Sequence, residues 1–352
     1  MSLYARWIYP LLAQFEAERA HDLTLAALAL AQGSPLGRAL LRLIAGPIPA
    51  CPVRLAGLSF PNVLGVAAGF DKNARVAPGL GLLGFGHVEV GTLTPRPQAG
   101  NPRPRIFRLP EQDALINRMG FPNAGVDAVV ARLRVISHSK QRLVLGVSLG
   151  KQKETPLAEA AVDYVAVMEG VYPYADYLVI NVSSPNTPGL RELQGGHYLD
   201  QLLATLVAAN RRLAAEHELP RRPLFVKIAP DLSLGALDEV VAAVMDNNRI
   251  DGIIATNTTV SREGMTGPRA AEAGGLSGRP LRQRSTEIIA AIRQRTNDRL
   301  PIIGVGGVQS AADVQAKLDA GASLVQLYTG LVYEGPGVAG RILRRLEIED
   351  GN

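Results

Sequence analysis

The run Tyr177-Leu-Val-Ile-Asn-Val182 is apolar at every position but one, and it passes into the polar, proline-broken stretch Ser183-Ser-Pro-Asn-Thr-Pro-Gly189. A strand with apolar side chains on both faces has to be covered on both, which is the condition of a parallel sheet flanked by helices. From residue 63 onward the same unit recurs: a short β-branched apolar run, a polar or glycine ending, then a segment with helical periodicity. Eight runs fit, at 63–70, 87–93, 143–149, 177–182, 224–229, 252–257, 301–306 and 324–329. Eight such units predict an α/β fold, a closed (β/α)8 TIM barrel with a small N-terminal helical extension. An open doubly wound sheet is the alternative. The expected division is 1–46 for the extension and 47–352 for the barrel. Residues 53–60 read as a hairpin ahead of the first barrel strand. Residues 105–109 with 114–118 read as a second hairpin, placed to stand over the barrel mouth.

The 352 residues are 47% hydrophobic and 20% charged, the balance of a folded globular chain. A single cysteine, Cys51, excludes an internal disulfide and a multi-cysteine metal or iron–sulfur site, and it fits a reducing compartment. The net charge of +5 is spread among interleaved acids, so no nucleic-acid partner is expected. None of the five histidines is spaced as a metal pair, so no metal is expected.

Residues 2–15 and 18–32 read as two short helices rich in exposed-type apolar residues such as Trp7, Leu11, Leu12 and Leu30. The uncharged stretch 23–37 is too short and too interrupted to span a bilayer, which takes about 20 residues. No secretory signal is read, and the mature chain is expected to begin near Met1. Two readings of these helices stay open: a hairpin packed on the main domain, or an interfacial surface that meets a membrane or admits a lipid-like molecule.

A barrel gathers its active site at the C-terminal ends of its strands. Here those ends carry amides, hydroxyls, lysines and glycines: Asp71-Lys72-Asn73, Gly91-Thr92, Ser148 and Lys151, Asn181 with Ser183-Ser184, Lys227, Thr256-Asn257-Thr258, Gly306-Gly307 and Tyr328-Thr329-Gly330. Each alone reads as an ordinary turn residue; all eight together point to one shared site. Gly79-Leu-Gly81-Leu-Leu-Gly84 matches a dinucleotide fingerprint in letters only, because it follows helical residues and precedes a strand. Gly304-Val-Gly306-Gly307, by contrast, follows the seventh strand, where barrels hold a phosphate on bare backbone N–H groups.

Several segments together resemble one family, the class 2 dihydroorotate dehydrogenases, which are membrane-associated and reduce quinones. They are Ala67-Ala-Gly-Phe-Asp-Lys72, Gly91-Thr-Leu-Thr-Pro-Arg-Pro97, Asn117-Arg-Met-Gly-Phe121, Asn181-Val-Ser-Ser-Pro-Asn-Thr-Pro-Gly-Leu-Arg191, Val226-Lys-Ile-Ala-Pro-Asp231, Ala255-Thr-Asn-Thr-Thr259, Gly274-Gly-Leu-Ser-Gly-Arg-Pro280 and Ile303-Gly-Val-Gly-Gly307. Glu18-Arg-Ala-His21 is similar to the extension of that class.

The resemblance implies oxidation of (S)-dihydroorotate to orotate in pyrimidine biosynthesis, with FMN as prosthetic group and a ubiquinone-type acceptor. It implies Ser184 as general base, a role held by cysteine in the soluble relatives. Ala68, Gly69, Phe70, Asp71, Lys72, Thr92, Ser148, Asn181, Lys227, Thr256, Gly278, Gly306, Gly307, Tyr328 and Thr329 are the implied FMN contacts, with Gly306, Gly307, Tyr328 and Thr329 at the phosphate. Lys72, Asn117, Arg118, Met119, Gly120, Phe121, Asn181, Asn186, Asn257 and Thr258 are the implied substrate contacts. Ser148 and Thr329 depart from the pattern, standing where asparagine and serine are common.

The implied home is a peripheral position on the cytoplasmic face of the inner membrane if the source is bacterial, with a monomer expected. The rival readings are a flavin-free, phosphate-binding barrel lyase or isomerase, and a catalytically silent membrane-surface scaffold.

Overall fold

A computed structural model describes residues 3–137, 143–246 and 250–350. Thirteen strands are present among them, in chain order β1 (Val53–Leu55), β2 (Leu58–Phe60), β3 (Leu64–Val66), β4 (His87–Leu93), β5 (Ile106–Leu109), β6 (Ala114–Asn117), β7 (Val144–Leu149), β8 (Tyr177–Asn181), β9 (Leu224–Ile228), β10 (Gly252–Ala255), β11 (Gly275–Gly278), β12 (Ile302–Val305) and β13 (Leu324–Leu327). Eight of them close into a parallel barrel in the order β3-β4-β7-β8-β9-β10-β12-β13. These are the eight runs the sequence marks, and the open-sheet alternative is thereby excluded.

The barrel is buried on both faces because its side chains alternate. Tyr177, Val179, Phe225, Ile254, Ile303 and Leu324 pack with one another inside it. Their neighbours Leu178, Ile180, Val226, Ile253 and Val325 pack outward against the surrounding helices. The β1–β2 hairpin closes the N-terminal end: Phe60 is buried and its ring lies 5.4 Å from that of His87 and 6.4 Å from that of Tyr177. With one end plugged, the opposite end is left for a ligand.

The second hairpin, β5–β6, forms as the sequence suggests, but it gains a third strand, β11, which pairs antiparallel with β6. Gly275–Gly278 carries little strand signal because glycine is a weak strand former. Ala114, Ile116 and Leu276 face a small apolar cluster with Phe107 and Leu109. Leu115, Asn117 and Ser277 face the barrel mouth instead.

The N-terminal region has three helical pieces rather than two. The run Tyr4–Ile8 and Tyr9–Leu12 replaces the first expected helix, whose residue 2 lies outside the described residues, and Ala17–Gly33 is the second. Pro35–Ala45 is the addition: Ser34 accepts from the Gly37 N–H as its N-cap and proline opens its first turn. That pairing is a helix-start signal readable in the sequence. Gly79 and Gly81 fall inside the short helix Ala77–Leu82, so the rejected fingerprint has no phosphate-binding geometry.

Candidate active site

Seven of the eight strand ends, with β6 and β11, line one cavity of about 1160 Å³ including its open mouth. Its floor is charged. On β9 the alternation that sends Phe225 inward sends Lys227 inward as well, and the register sets it beside Asn181 of β8. Its ammonium lies 3.1 Å from the Glu89 carboxylate, and both side chains are buried. The other Glu89 oxygen accepts from Gln326 Nε2 at 2.9 Å. Glu89 and Gln326 went unmarked in the sequence reading; a lone acid inside the apolar run 87–93 was the available signal.

Ser184 stands on the loop after β8, buried and facing the same cavity as Lys227. Its Oγ accepts from the Asn186 N–H at 3.2 Å, the ordinary turn contact of a serine before proline. That contact also favours negative charge on the oxygen, because it donates to Oγ and asks for no proton in return. Ser183 Oγ donates to Asn181 Oδ1 at 2.9 Å and accepts from Asn257 Nδ2 at 2.9 Å. Asn186 Nδ2 donates to Asn117 Oδ1 at 3.2 Å. These amides come from β6, from β8 with the loop after it, and from the loop after β10, and they line the same cavity as Ser184.

The opposite end suits an anion. Gly306, Gly307 and Val308 line the cavity, and their backbone N–H groups have no acceptor among the described residues. Gly306 and Gly307 have φ of +128° and +72°, a backbone that side chains other than glycine rarely adopt. Thr329 shares a hydrogen bond of 2.9 Å with Ser277 of β11. Consecutive unengaged amides in a loop are the donor set a phosphate needs, so the residues present fit a phosphorylated cofactor.

A family model described as dihydroorotate dehydrogenase matches residues 51–349. The chain belongs to that family. It is 51% identical over 328 residues to the dihydroorotate dehydrogenase (quinone) of Cupriavidus pinatubonensis, covering 93% of this chain and 94% of that one. It is 49% identical over 343 residues to the Methylococcus capsulatus protein of the same name, covering 97% and 98%. The solved structure of DHODH from Eimeria tenella in complex with ferulenol superposes with a TM-score of 0.84 at 38% identity, covering 95% of this chain and 92% of that chain.

Of the positions implied by resemblance to the dihydroorotate dehydrogenases, four lie off this cavity wall. Ser148 is buried behind it and shares a 2.9 Å hydrogen bond with Thr92 Oγ1, which also accepts from Asn181 Nδ2 at 2.7 Å; its end, β7, is the one that stands back. Lys151, nearby, donates to the Gln152 and Thr155 carbonyls. Arg118 turns outward to Glu272, at 2.7 Å, and lies over the Phe107 ring. Asp71 accepts from the Arg75 and Val76 N–H groups and shapes the turn that presents Lys72. Phe70 packs its ring edge-on against Tyr328 at 5.7 Å and His21 at 5.1 Å.

Phe70 and Asp71 instead line a second cavity of about 770 Å³, between the helix Ala17–Gly33 and the barrel mouth. Lys72 and Met119 border both cavities. The second is framed by a buried ion pair, with Arg105 Nη2 2.6 Å from Glu18 Oε1 and Arg103 Nη2 3.0 Å from the same oxygen. Burial pulls the Lys72 ammonium down to about 8, with Glu18 opposing that shift. Burial, with the Lys72 charge, pulls His21 down to about 3, so its ring is neutral.

Proposed function

We propose that this chain oxidises (S)-dihydroorotate to orotate in pyrimidine (UMP) biosynthesis, with FMN in the main cavity and a ubiquinone-type acceptor reached through the N-terminal helices. The observation that carries it is the convergence of Ser184, Lys227 and the open amides of Gly306–Val308 on one cavity. What bound FMN supplies is a hydride acceptor that a quinone can reoxidise.

The protein supplies the rest. Ser184 takes the acidic proton from the carbon next to the substrate carbonyl, as the hydride leaves the neighbouring carbon. A serine is a weak base in water, so burial of its loop and the Asn186 N–H on its oxygen are needed. Asn117, Asn181, Asn186, Asn257 and Thr258 match the amide edges of a pyrimidine, which both donate and accept. Lys72 holds the substrate carboxylate. Lys227, fixed by Glu89, would place positive charge beside a bound flavin. Ala68, Gly69, Thr92, Thr256 and Gly278 would leave room for its ring, while Gly306, Gly307, Tyr328 and Thr329 would hold its phosphate.

Residues 1–46 form the membrane-facing surface. Leu36, Leu40 and Leu43 of Pro35–Ala45 are exposed while Leu41 and Ala45 turn inward, and Trp7 and Leu11 are exposed as well. Arg6, Arg38 and Arg42 add charge suited to anionic lipid. Among the described residues no helix is long and apolar enough to cross a membrane.

The test is a flavin spectrum without oxygen. Dihydroorotate bleaches the purified protein and a quinone restores its colour. A colourless protein with no releasable FMN would favour the lyase or isomerase reading, and lipid binding without bleaching the scaffold.

A further inference from the structure

Two side chains of the helix Arg282–Thr296 grip the glycine loop from behind. Ser285 Oγ donates to the Val305 carbonyl at 2.5 Å, alongside the Thr256 N–H at 2.8 Å, and Arg282 Nε donates to the Gly307 carbonyl at 2.9 Å. In a planar trans peptide the C=O and N–H point opposite ways. Drawing these two carbonyls toward the helix therefore turns the N–H groups of Gly306 and Val308 to the other side, where the cavity lies. The approach requires glycine: a Cβ on Gly306 would stand 2.9 Å from Ser285 Cβ, and one on Gly307 2.5 Å from Arg282 Cα.

A serine hydroxyl can donate or accept, so Ser285 alone does not set that direction. Lys317 does. Its side chain, wholly buried on the helix Ala311–Asp319, donates to Ser285 Oγ at 2.9 Å and to Thr286 Oγ1 at 3.3 Å. An ammonium has no lone pair to offer, which commits the Ser285 proton to the Val305 carbonyl. The charged groups around it are Asp313 and Arg282, themselves paired at 2.9 Å. Burial lowers the Lys317 pKa to about 8, Asp313 opposing and Arg282 adding to the shift, so the group is charged at neutral pH. Burying an ammonium is costly, and Lys317 lines neither of the two cavities described above and takes no part in the reaction above.

We infer that Lys317, acting through Ser285, and Arg282 are positioning residues that fix the direction of the loop peptides, and with it the preference for a phosphorylated flavin over its unphosphorylated form. This rests on Gly306–Val308 being the phosphate cradle. The test compares dissociation constants for FMN and riboflavin, read by flavin fluorescence after exchange into the purified flavoprotein. The unsubstituted chain prefers FMN by about a hundredfold or more. Lys317→Met and Ser285→Ala each cut that preference about tenfold, with riboflavin affinity unchanged. Ser285→Ala removes one oxygen only, so it carries the test should Lys317→Met fail to fold. Variants that keep the full preference, or that lose both flavins in proportion, would overturn the positioning role. An unsubstituted chain that binds both flavins equally would instead remove the phosphate assignment beneath it.

Discussion

Lys227 and Glu89, 138 residues apart in the chain, meet at 3.1 Å on the cavity floor with almost no access to water. Removing one partner of such a pair leaves the other charged and buried, which costs about 3–5 kcal/mol. Lys227→Met is therefore expected to lower stability by that amount in urea unfolding. Adding Glu89→Gln to Lys227→Met should recover more than half. A double variant as unstable as the single one would show that the charge on Glu89 is not the source.

Ser184→Ala is expected to keep its flavin and to be reduced by dihydroorotate at least a hundredfold more slowly in anaerobic stopped flow. The motive is the Ser184 hydroxyl, buried and facing the cavity that also holds Lys227. Near-normal reduction would take Ser184 out of the mechanism.

The strands could be read from the sequence because each is apolar on both faces, and closing them brings residues as distant as Ala68 and Thr329 to one rim without any further signal. β11 could not, since three of the five residues in Gly274-Gly-Leu-Ser-Gly278 are glycines, and its strand character comes from pairing with β6 and a bridge to Thr259. Nor could the partners of Lys227 or of Lys317, because a buried charge is matched across the fold and nothing near it in the chain names its mate. Arg118 sits between the cavity residues Asn117 and Met119 in sequence and Ser148 lies at the end of a barrel strand, yet their side chains point to Glu272 and Thr92.

The Lys72 charge is present below its pKa of about 8 and lost above it. Orotate, an anion, should accordingly bind with steady affinity up to about pH 8 and progressively more weakly above it, by spectral titration of the flavoprotein. Lys72→Met should bind weakly with a flat profile. A steep profile in that variant would assign the titration to another group.

Burial pushes the Glu18 carboxyl up, but hydrogen bonds and charge from Arg105 and Arg103 bring it below its ordinary value of 4.5. A carboxylate lowered in this way stabilises the folded form above its unfolded pKa, and that contribution fades as pH falls through the folded value. Protection factors of the amides in residues 17–33, corrected for the intrinsic exchange rate at each pH, should fall as the pH is lowered below 4.5. Glu18→Gln should show the same loss of protection at pH 7; unchanged protection there would mean that apolar packing alone docks the helix.

Trp7 and Leu11 are 63% and 61% exposed. Trp7→Asp with Leu11→Asp should lower sedimentation with anionic vesicles by about tenfold or more while leaving thermal unfolding in place. Equal sedimentation would place the lipid contact elsewhere.

The strand β6 lies like a ruler along the main cavity: Asn117 marks the end beside Asn186, and Ala114, paired with Gly278, marks the end near Thr329. Four extended residues at about 3.3 Å each set that interval, and the alternation allows no fine adjustment. One inserted residue would lengthen the gauge and also swing the Asn117 amide to the opposite face, so the spacing between the proposed substrate and cofactor positions can change only in steps of two residues.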